Sequence, residues 1–320
     1  MSTEATVYQQ QESPIDFTAV AAITGGQVVN INGKAGVVPS AVAASGAATA
    51  QTEGVYTVTK NAGEAWLPGS EIWWDAANSE ASIVPQYSGI GFRLGVSYTD
   101  AASADTEGKV ILNGEQATVF DLHKDGGTSV VVKTSGTPDG KMTAGAFAAN
   151  FSATAEAQKV DLLSLRSFPI TGNWIMEADF VVNTDFDAAA ADLNIGVANG
   201  THASDADSIT ESVFVHVDGG SANLTVESDD GTTENAAADS TVDYAVGTPQ
   251  RIVMDGRDHT DIKVYIDGVR VMDGTTGAEK TLTLADGTGP LKFLFHMEKS
   301  SDDTPGIVQL LNARVWMINE

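Results

Sequence analysis

Cysteine is absent from this 320-residue chain, and basic side chains are few. Without cysteine the protein forms neither disulfide bonds nor thiolate metal sites. Its 17 lysine and arginine residues face 43 aspartate and glutamate residues, which gives a formal net charge of −26. The segment between Arg166 and Arg251 contains no lysine or arginine at all. Because nucleic acids are bound by clustered basic side chains that displace counterions, we expect no nucleic-acid partner.

Long apolar segments are also missing. No apolar run approaches the ~20 residues that a membrane-spanning helix needs. The opening segment MSTEATVYQQQESP lacks both the basic region and the apolar centre of a secretory signal peptide. We therefore expect no membrane partner, and synthesis in the cytoplasm. The strong acidity is typical of a protein that stays soluble at high copy number, with the binding of cations or of a basic partner as the alternative.

Short apolar runs bounded by glycine, proline, asparagine or aspartate recur instead, and such runs predict β-strands joined by tight turns. Between residues 23 and 112 we find no apolar stripe with the helical period of about 3.6 residues. This part of the chain is therefore predicted to be a small β-barrel-like domain. Its five clearest strand candidates are Gln27–Ile31, Val55–Thr59, Glu71–Trp74, Phe92–Ser97 and Gly108–Leu112.

Strand signals become stronger from Lys159 onward, where about eleven short runs alternate with Asp-Gly, Asn-Gly and Gly-Gly turns. The clearest hairpin is KVYIDGVRVM, because Asp267 and Gly268 suit a two-residue turn that requires positive φ. Many short antiparallel strands at this spacing predict a two-sheet sandwich. The predicted fold class is therefore all-β throughout.

The predicted organisation has four parts, with the domain boundary near Asn113. The polar N-terminal segment predicts either a disordered tail or an arm that orders on a neighbouring subunit, anchored by Ile15 and Phe17. The four parts are an extended arm (1–16), a β domain (17–113), a linker or lead-in strands (114–158) and a β-sandwich (159–320).

The order of the N-terminal runs is more specific than their composition. A Gly-Gly turn leads into QVVNINGKAGVVP, followed by a Gly/Ala/Thr-rich segment, GVYTVTK, LPGSEIWWDAAN and RLGVSYTDAASADTEGKVIL. This succession resembles the capsid cement, or head-decoration, proteins of tailed bacteriophages. The resemblance implies a protein of the outer capsid surface of the virion. Such a protein binds the major capsid protein of the phage head, forms a homotrimer at three-fold positions and stabilises the shell.

The C-terminal half resembles a second group of proteins. The run QRIVMDGRDHTDIKVYIDGVRV, closed much later by LNARVWMIN, resembles the concanavalin A-like, laminin-G-like jelly-roll superfamily through Tyr265, Asp267 and Gly268. This implies a lectin-like sandwich that projects outward, either as added bulk or to bind host-surface glycans. Trp174 and Tyr244 are the candidate glycan contacts, with a place in the core as the other interpretation. The alternative function is a free carbohydrate-binding protein whose first domain is an oligomerisation module.

Enzymatic activity is not expected, although the jelly-roll superfamily includes glycoside hydrolases. Their chemistry needs two carboxylates on one strand face, and the family pattern places a further glutamate just beyond the aspartate. Glu177 and Asp179 share a face here, but Val181 and Val182 occupy the positions of that glutamate. We therefore expect Glu177 and Asp179 to be solvent-facing residues of an edge or half-exposed strand.

Aromatic residues in the first domain are the candidate interface residues, together with Ile15 and Phe17. Trp73 and Trp74 are adjacent on a predicted strand, so their side chains point to opposite faces. Either both indoles are covered within the domain, or the outward one is an interface anchor, since tryptophan is enriched at binding hot spots. Trp66 is the third tryptophan among the candidate interface residues.

Metal and cofactor signals are weak. Five histidines are scattered without metal-ligand spacing, so no zinc site is expected, and no nucleotide-binding motif is present. Calcium is the one cofactor that remains open, because aspartates are frequent in the predicted loops of the second domain and oxygen-rich loops suit this cation. The alternative is that these carboxylates only stabilise solvated turns. The histidines are His123, His202, His216, His259 and His296, and the aspartates are Asp205, Asp207, Asp229, Asp230, Asp255, Asp258 and Asp261.

Overall fold

The computed structural model describes residues 5–10, 14–85, 91–127, 130–143, 145–184, 191–203 and 205–318. In these ranges the helical elements are the four-residue helix α1 (Leu122–Asp125) and a 3-10 turn at Ala206–Ser208. Everything else that is regular is β-strand, which confirms the all-β prediction. None of the helices in the described ranges is long and apolar enough to cross a membrane.

The chain divides into two compact units. Unit 1 comprises Met1–Gln116 with Asp267–Val269, and unit 2 comprises Ala117–Ile266 with Arg270–Glu320. The five strand candidates of the first domain coincide with β3, β6, β7, β9 and β10, with bounds that differ by one residue at most. The strands of unit 1 are β1 Ala5–Gln10, β2 Pro14–Thr18, β3 Gln27–Ile31, β4 Lys34–Val38, β5 Ala47–Gln51, β6 Gly54–Thr59, β7 Glu71–Asp75, β8 Glu80–Ser82, β9 Phe92–Ser97 and β10 Glu107–Leu112.

Two sheets form unit 1, and the larger one curves back on itself. Its strand order is β1-β6-β10-β9-β7-β8, and the smaller sheet has the order β2-β5-β4-β3. Just beyond β6, Lys60 forms a parallel bridge with Ala81 of β8, and the backbone N–H of Asn61 donates to the carbonyl of Ala81 at 2.8 Å. This contact brings the edge strand β8 back to β6 and gives the barrel-like shape that the sequence predicts.

The N-terminal segment is paired within unit 1. β1 runs antiparallel to β6, with Ala5 opposite Val58. β2 runs antiparallel to β5, with Ile15 opposite Ala50. Phe17 is half-buried and packs against the small apolar core of the four-stranded sheet, so the two described strands of the predicted arm contribute to the unit.

Asn113, at the predicted domain boundary, links the two sheets of unit 1. Its backbone adopts a left-handed conformation with φ of 53°. Its side-chain oxygen accepts from the N–H of Ala35 at 3.0 Å, and its amide donates to the carbonyls of Ala35 at 2.8 Å and Thr52 at 2.7 Å. The end of β10 is thereby fixed to the four-stranded sheet.

The remaining strands form a two-layer sandwich, as predicted. The β17 sheet has the order β13-β14-β26-β17-β22-β23-β24 with β11 on β26, and the β18 sheet has the order β12-β15-β25-β18-β19-β20-β21 with β16 on β25. The apolar core contains buried side chains from both sheets, such as Phe180 and Phe295.

Asp267 and Gly268 have φ of 50° and 79°, which confirms the predicted turn between β23 and β24. The strands are β11 Phe120–Asp121, β12 Val130–Ser135, β13 Asp139–Thr143, β14 Ala146–Phe151, β15 Glu156–Leu163, β16 Phe168–Pro169, β17 Trp174–Thr184, β18 Ala191–Ala198, β19 Ser212–Asp218, β20 Asn223–Asp229, β21 Glu234–Asp243, β22 Gln250–Gly256, β23 Lys263–Ile266, β24 Val269–Arg270, β25 Pro290–Asp302 and β26 Gly306–Met317.

Candidate functional site

The outer face of the β18 sheet carries a row of polar side chains. Along β18, β19 and β20 the alternate residues that face the core are apolar, for example Leu193, Val215 and Val226. Because successive strand residues point to opposite faces, the polar residues between them share the other face. The register places Asn194 opposite His216.

A loop between β18 and β19 folds over this face. Within it, the side chain of Asp205 caps the 3-10 turn and accepts from the N–H of Asp207 at 2.9 Å. Buried Ile209 of the same loop belongs to a small apolar cluster on the outer face with Phe214 of β19. These contacts hold Asp207 above the sheet, where its Oδ1 accepts from Nδ2 of Asn194 at 2.9 Å.

Five polar residues meet at this point, and we call them the His216 cluster: Asp192, Asn194, Asp207, His216 and Glu227. Nδ1 of His216 lies 3.6 Å from Oδ2 of Asp207 and 3.6 Å from Oε1 of Glu227. Its Nε2 lies 3.7 Å from Oδ1 of Asp192. The side chain of His216 is only 8% exposed, and neither ring nitrogen has a hydrogen-bond partner within the described part of the chain. Nδ2 of Asn194 also donates to Oε1 of Glu227 at 3.2 Å and so connects the two carboxylates.

Negative charge dominates the cluster. Burial opposes the charged imidazole, but the carboxylates of Asp192, Glu227 and Asp207 outweigh it and raise the pKa of His216 to about 10. Burial, reinforced by the charge of Asp207, raises the pKa of Glu227 to about 7 in spite of the imidazolium beside it. Throughout the described residues, no lysine or arginine forms an ion pair with these carboxylates. Such an arrangement is suited to hold a cation.

A second buried histidine continues the polar row. His296 of β25 lies opposite both Asp161 of β15 and Asn194 of β18. Its Nδ1 is 2.6 Å from Oδ1 of Asp161, and its Nε2 is 3.2 Å from Oε2 of Glu298. Nζ of Lys159 lies 3.1 Å from the other oxygen of Asp161. Burial opposes the charge of His296, but Asp161 and Glu298 raise its pKa, so this group is a buried ion network.

Glu177 and Asp179 are buried rather than solvent-facing, so that expectation was wrong. They lie on β17, a central strand between β26 and β22, and are 0% and 1% exposed. Arg251 pairs with Asp179 at 2.6 Å, and Arg314 pairs with Glu177 at 2.6 Å. Each carboxylate is thus neutralised by an arginine and shielded from solvent, so neither is placed to meet a sugar.

The predicted interface residues occupy different environments. Trp66 and Trp74 are 0% and 2% exposed, so their indoles pack inside the protein. Trp73 is half-buried and points to the opposite face of β7. Ile15 and Phe17 are also half-buried and lie on β2, an edge strand of the four-stranded sheet. Partly exposed apolar surface is therefore left at Ile15, Phe17 and Trp73.

The two candidate glycan contacts lie in the core of unit 2. Trp174 is fully buried, and its Nε1 donates to the carbonyl of Ile170 at 3.2 Å. Tyr244 is 6% exposed and belongs to the same apolar core. Neither ring offers a free face for stacking on a sugar. A shallow groove of about 420 Å³, lined by residues 167–171 and 287–290, lies near Ile170 and contains no charged side chain.

Most of the aspartates considered for calcium have other partners. Asp230 accepts from the backbone N–H groups of Thr232 and Thr233 at 3.0 and 2.7 Å, an arrangement typical of a capped turn. Asp205, Asp229 and Asp258 likewise accept from backbone N–H groups of nearby residues. Asp255 pairs with Arg257, and Asp261 pairs with Lys263. Asp207 alone among the seven approaches both a histidine and another carboxylate within the described residues.

His216 and Glu227 were not identified as a pair from the sequence. In SVFVHVD and ANLTVES each occupies an outward position of an alternating strand whose core-facing residues are apolar. The alternation therefore indicates the face on which each side chain lies, but it does not show which strands are neighbours.

Comparison with known proteins finds a family match in the N-terminal region. Residues 8–112 match the family model described as phage cement protein. The match confirms the resemblance predicted from the order of the strands and turns. No curated protein sequence matches the chain.

Several solved structures are similar in fold. One is the carbohydrate recognition domain of Emp46p in a potassium-bound form, with 13% identity, a TM-score of 0.43, and coverage of 63% of this chain and 98% of that one. The exoplasmic/lumenal domain of VIP36 in a Ca²⁺/Man-bound form has 11% identity, a TM-score of 0.41, and coverage of 63% and 91%. The carbohydrate-binding module CBM66 from Bacillus subtilis has 12% identity, a TM-score of 0.35, and coverage of 57% and 94%.

Proposed function

We propose that this protein decorates the head of a tailed bacteriophage: unit 1 binds the outside of the assembled capsid and stabilises the shell. Residues 8–112 match the phage cement protein family, which supports this function most directly. The matched range spans nearly all of Met1–Gln116, the N-terminal segment of unit 1. The activity is therefore binding, without a catalytic step.

The proposed binding mode is a homotrimer at three-fold positions that contacts neighbouring copies of the major capsid protein. Three weak contacts made by one trimer act together, so the avidity exceeds the affinity of any single contact. In the proposed layout, residues 1–16 contribute the arm, 17–113 the docking domain, 114–158 the lead-in segment and 159–320 the outward sandwich.

The proposed contact surface uses the apolar side chains that unit 1 leaves partly exposed. Ile15 and Phe17 lie on the edge strand β2, and edge strands offer backbone groups to a neighbouring chain. Trp73 supplies a large aromatic surface of the kind enriched at binding hot spots. Trp66 and Trp74 are buried, so in this proposal they stabilise unit 1 and make no direct contact with the capsid.

Unit 2 is proposed to face away from the capsid. The segment from Ser167 to Gln250, which contains no lysine or arginine, lies within it. Its negative charge would keep decorated heads apart through mutual repulsion. A second role proposed for this unit is adhesion to host-surface glycans. Because Trp174 and Tyr244 are buried, polar groups of the loops would make the contacts with the glycan. A glycan array probed with the full chain tests this role, and absence of selective binding would leave unit 2 as an acidic outer layer.

The experiment that tests the main proposal is co-sedimentation of the full chain with phage heads that lack it, over a range of salt concentrations. We expect saturable binding that protects the heads against heat-induced release of DNA. Phe17→Ala and Trp73→Ala are expected to weaken binding, whereas Leu165→Ala, which removes an apolar side chain 53% exposed in unit 2, is not. A chain that fails to sediment with heads at any salt concentration would overturn the proposal.

A further inference from the structure

We propose that unit 2 binds one divalent transition-metal ion of the zinc type, with His216, Asp207 and Glu227 as its ligands. This inference does not depend on capsid binding, because the β18 sheet belongs to unit 2 and the proposed docking surface belongs to unit 1. The three side chains each offer one ligand atom, and these atoms all lie within 4.8 Å of one another.

The donor set indicates the class of metal. Zinc and similar ions bind an imidazole nitrogen together with carboxylate oxygens. Calcium and magnesium prefer sites made entirely of oxygen atoms. A buried imidazole nitrogen between two carboxylates therefore favours a transition metal over the calcium considered from the sequence. The proposal departs from the expectation that there is no zinc site, because the ligands come from separate strands and a loop rather than from closely spaced histidines.

The distances agree with this assignment. Nδ1 of His216 lies 3.6 Å from the nearest oxygen of Asp207 and 3.6 Å from that of Glu227. Two ligands bonded at ~2.1 Å in a tetrahedral site stand about 3.4 Å apart. The observed separations are too long for hydrogen bonds and close to what a bridging metal needs.

A small cavity adjoins the ligands. Asp207 and Glu227 line it, but His216 does not, and its volume of about 10 Å³ is at the lower limit of the space that one water molecule requires. The side chain of Asp207 is 41% exposed, so the site has an access path from solvent.

The surrounding residues have the arrangement that commonly supports a metal ligand. Metal-bound histidines usually direct their second ring nitrogen at a carboxylate or a carbonyl. Oδ1 of Asp192 faces the other ring nitrogen, Nε2 of His216, at 3.7 Å, a separation that is longer than a hydrogen bond. Asn194 acts as a positioning residue, since its Nδ2 donates to the carboxylates of both Asp207 and Glu227.

Charge and position also favour a dication. The carboxylates of Asp192, Asp207 and Glu227 surround a single imidazole, and a metal ion neutralises more of this charge than one proton does. His216 and Glu227 are fixed on neighbouring strands, whereas Asp207 comes from the loop above them. The bound ion would therefore fasten this loop to the β18 sheet.

The test is calorimetric titration of the chelator-treated full chain with Zn²⁺, and separately with Ca²⁺. We expect one tight Zn²⁺ site per chain that excess Ca²⁺ does not displace, and a higher melting temperature with Zn²⁺. Because changes to residues that merely orient a ligand cost about 10- to 100-fold in affinity, His216→Gln is expected to weaken binding by at least ~100-fold. His123→Gln is the matched control, since His123 is exposed and lies outside the cluster.

Asp207→Asn is the second variant, for the case in which His216→Gln fails to fold. Asp207 lies in a loop and its side chain is partly exposed, so this substitution should leave the fold intact. It is expected to weaken Zn²⁺ binding while circular dichroism stays unchanged. Three results would overturn the proposal: no saturable Zn²⁺ site in the parent, equal Zn²⁺ binding by the parent and a folded variant, or displacement of Zn²⁺ by equimolar Ca²⁺.

Discussion

Arg251 holds Asp179 in a two-pronged ion pair on neighbouring strands of the β17 sheet. Its Nε lies 2.6 Å from Oδ1 and its Nη2 lies 2.9 Å from Oδ2, and both side chains are buried. Removing Asp179 leaves the buried Arg251 with only a more distant carboxylate, since Oε2 of Glu177 lies 3.7 Å from its Nη1. Asp179→Ala is therefore expected to lower the free energy of unfolding of unit 2 by about 3–5 kcal/mol in urea titrations.

The exposed pair of Lys141 and Asp139 is the control for this prediction. Its nitrogen and oxygen are 2.8 Å apart, but the side chains are 62% and 47% exposed. Surface pairs contribute only about 0–1 kcal/mol, so Asp139→Ala should leave the urea midpoint nearly unchanged. Equal losses in the two variants would mean that burial does not determine the strength of the Asp179 pair.

Asn113 provides a test of how the two sheets of unit 1 are joined. Asn113→Gly keeps the left-handed backbone accessible but removes three side-chain hydrogen bonds. We expect a loss of about 1–3 kcal/mol in the unfolding of unit 1, because buried backbone groups lose their partners. Asn32→Gly is matched in backbone conformation, with φ of 54° in the turn between β3 and β4. A loss in Asn32→Gly as large as in Asn113→Gly would contradict the linking role.

The adjacent tryptophans of β7 are expected to respond differently to truncation. Trp74 is 2% exposed, and replacing such a residue with alanine typically costs about 3–5 kcal/mol. Trp73 is half-buried, so Trp73→Ala should lower the stability of unit 1 less and weaken binding to heads more. Thermal unfolding and co-sedimentation of both variants check this prediction. If Trp73→Ala changes stability alone, Trp73 is not part of the docking surface.

His296 should make the stability of unit 2 depend on pH. Its folded-state pKa is raised above the ordinary 6.5 by Asp161 and Glu298, even though burial acts in the opposite direction. The folded protein therefore keeps the proton to higher pH than the unfolded chain does. The stabilisation is complete below about pH 6.5 and is lost as pH rises through the raised pKa.

Urea midpoints of the parent and His296→Gln, measured from pH 6 upward, test this dependence. Subtracting the two curves isolates His296 from the other titrating groups, and the difference should shrink as pH rises. The variant His259→Gln, outside this network, should follow the parent. A difference that stays constant or grows with pH would contradict a raised pKa.

Much of the fold was predictable because the apolar runs and turn residues of the sequence coincide with the strands and turns of the structure. β3 and β9 have the bounds that their apolar runs predict, and the Asp267-Gly268 turn has the positive φ that its residues favour. β21 was not predicted, since ENAAADSTVD is polar and rich in alanine and aspartate. It is an edge strand that depends on pairing with β20, and one side-chain bond joins Asn235 to Ser228 at 3.1 Å.

The candidate site was less predictable because its residues come from different strands. Asp192, His216 and Glu227 approach each other only through the order of β18, β19 and β20. The burial of Glu177 was missed for a similar reason, since its partner Arg314 is 137 residues away in the sequence. Alternation along one strand predicts which face a side chain occupies, but not which distant charge meets it there.

The decisive measurement for capsid decoration is electron cryo-microscopy of heads incubated with the full chain. We expect added density on the outside of the shell at local three-fold positions, with unit 1 against the major capsid protein and unit 2 further out. Heads that remain undecorated at saturating protein concentration, together with a chain that is monomeric in solution, would contradict it.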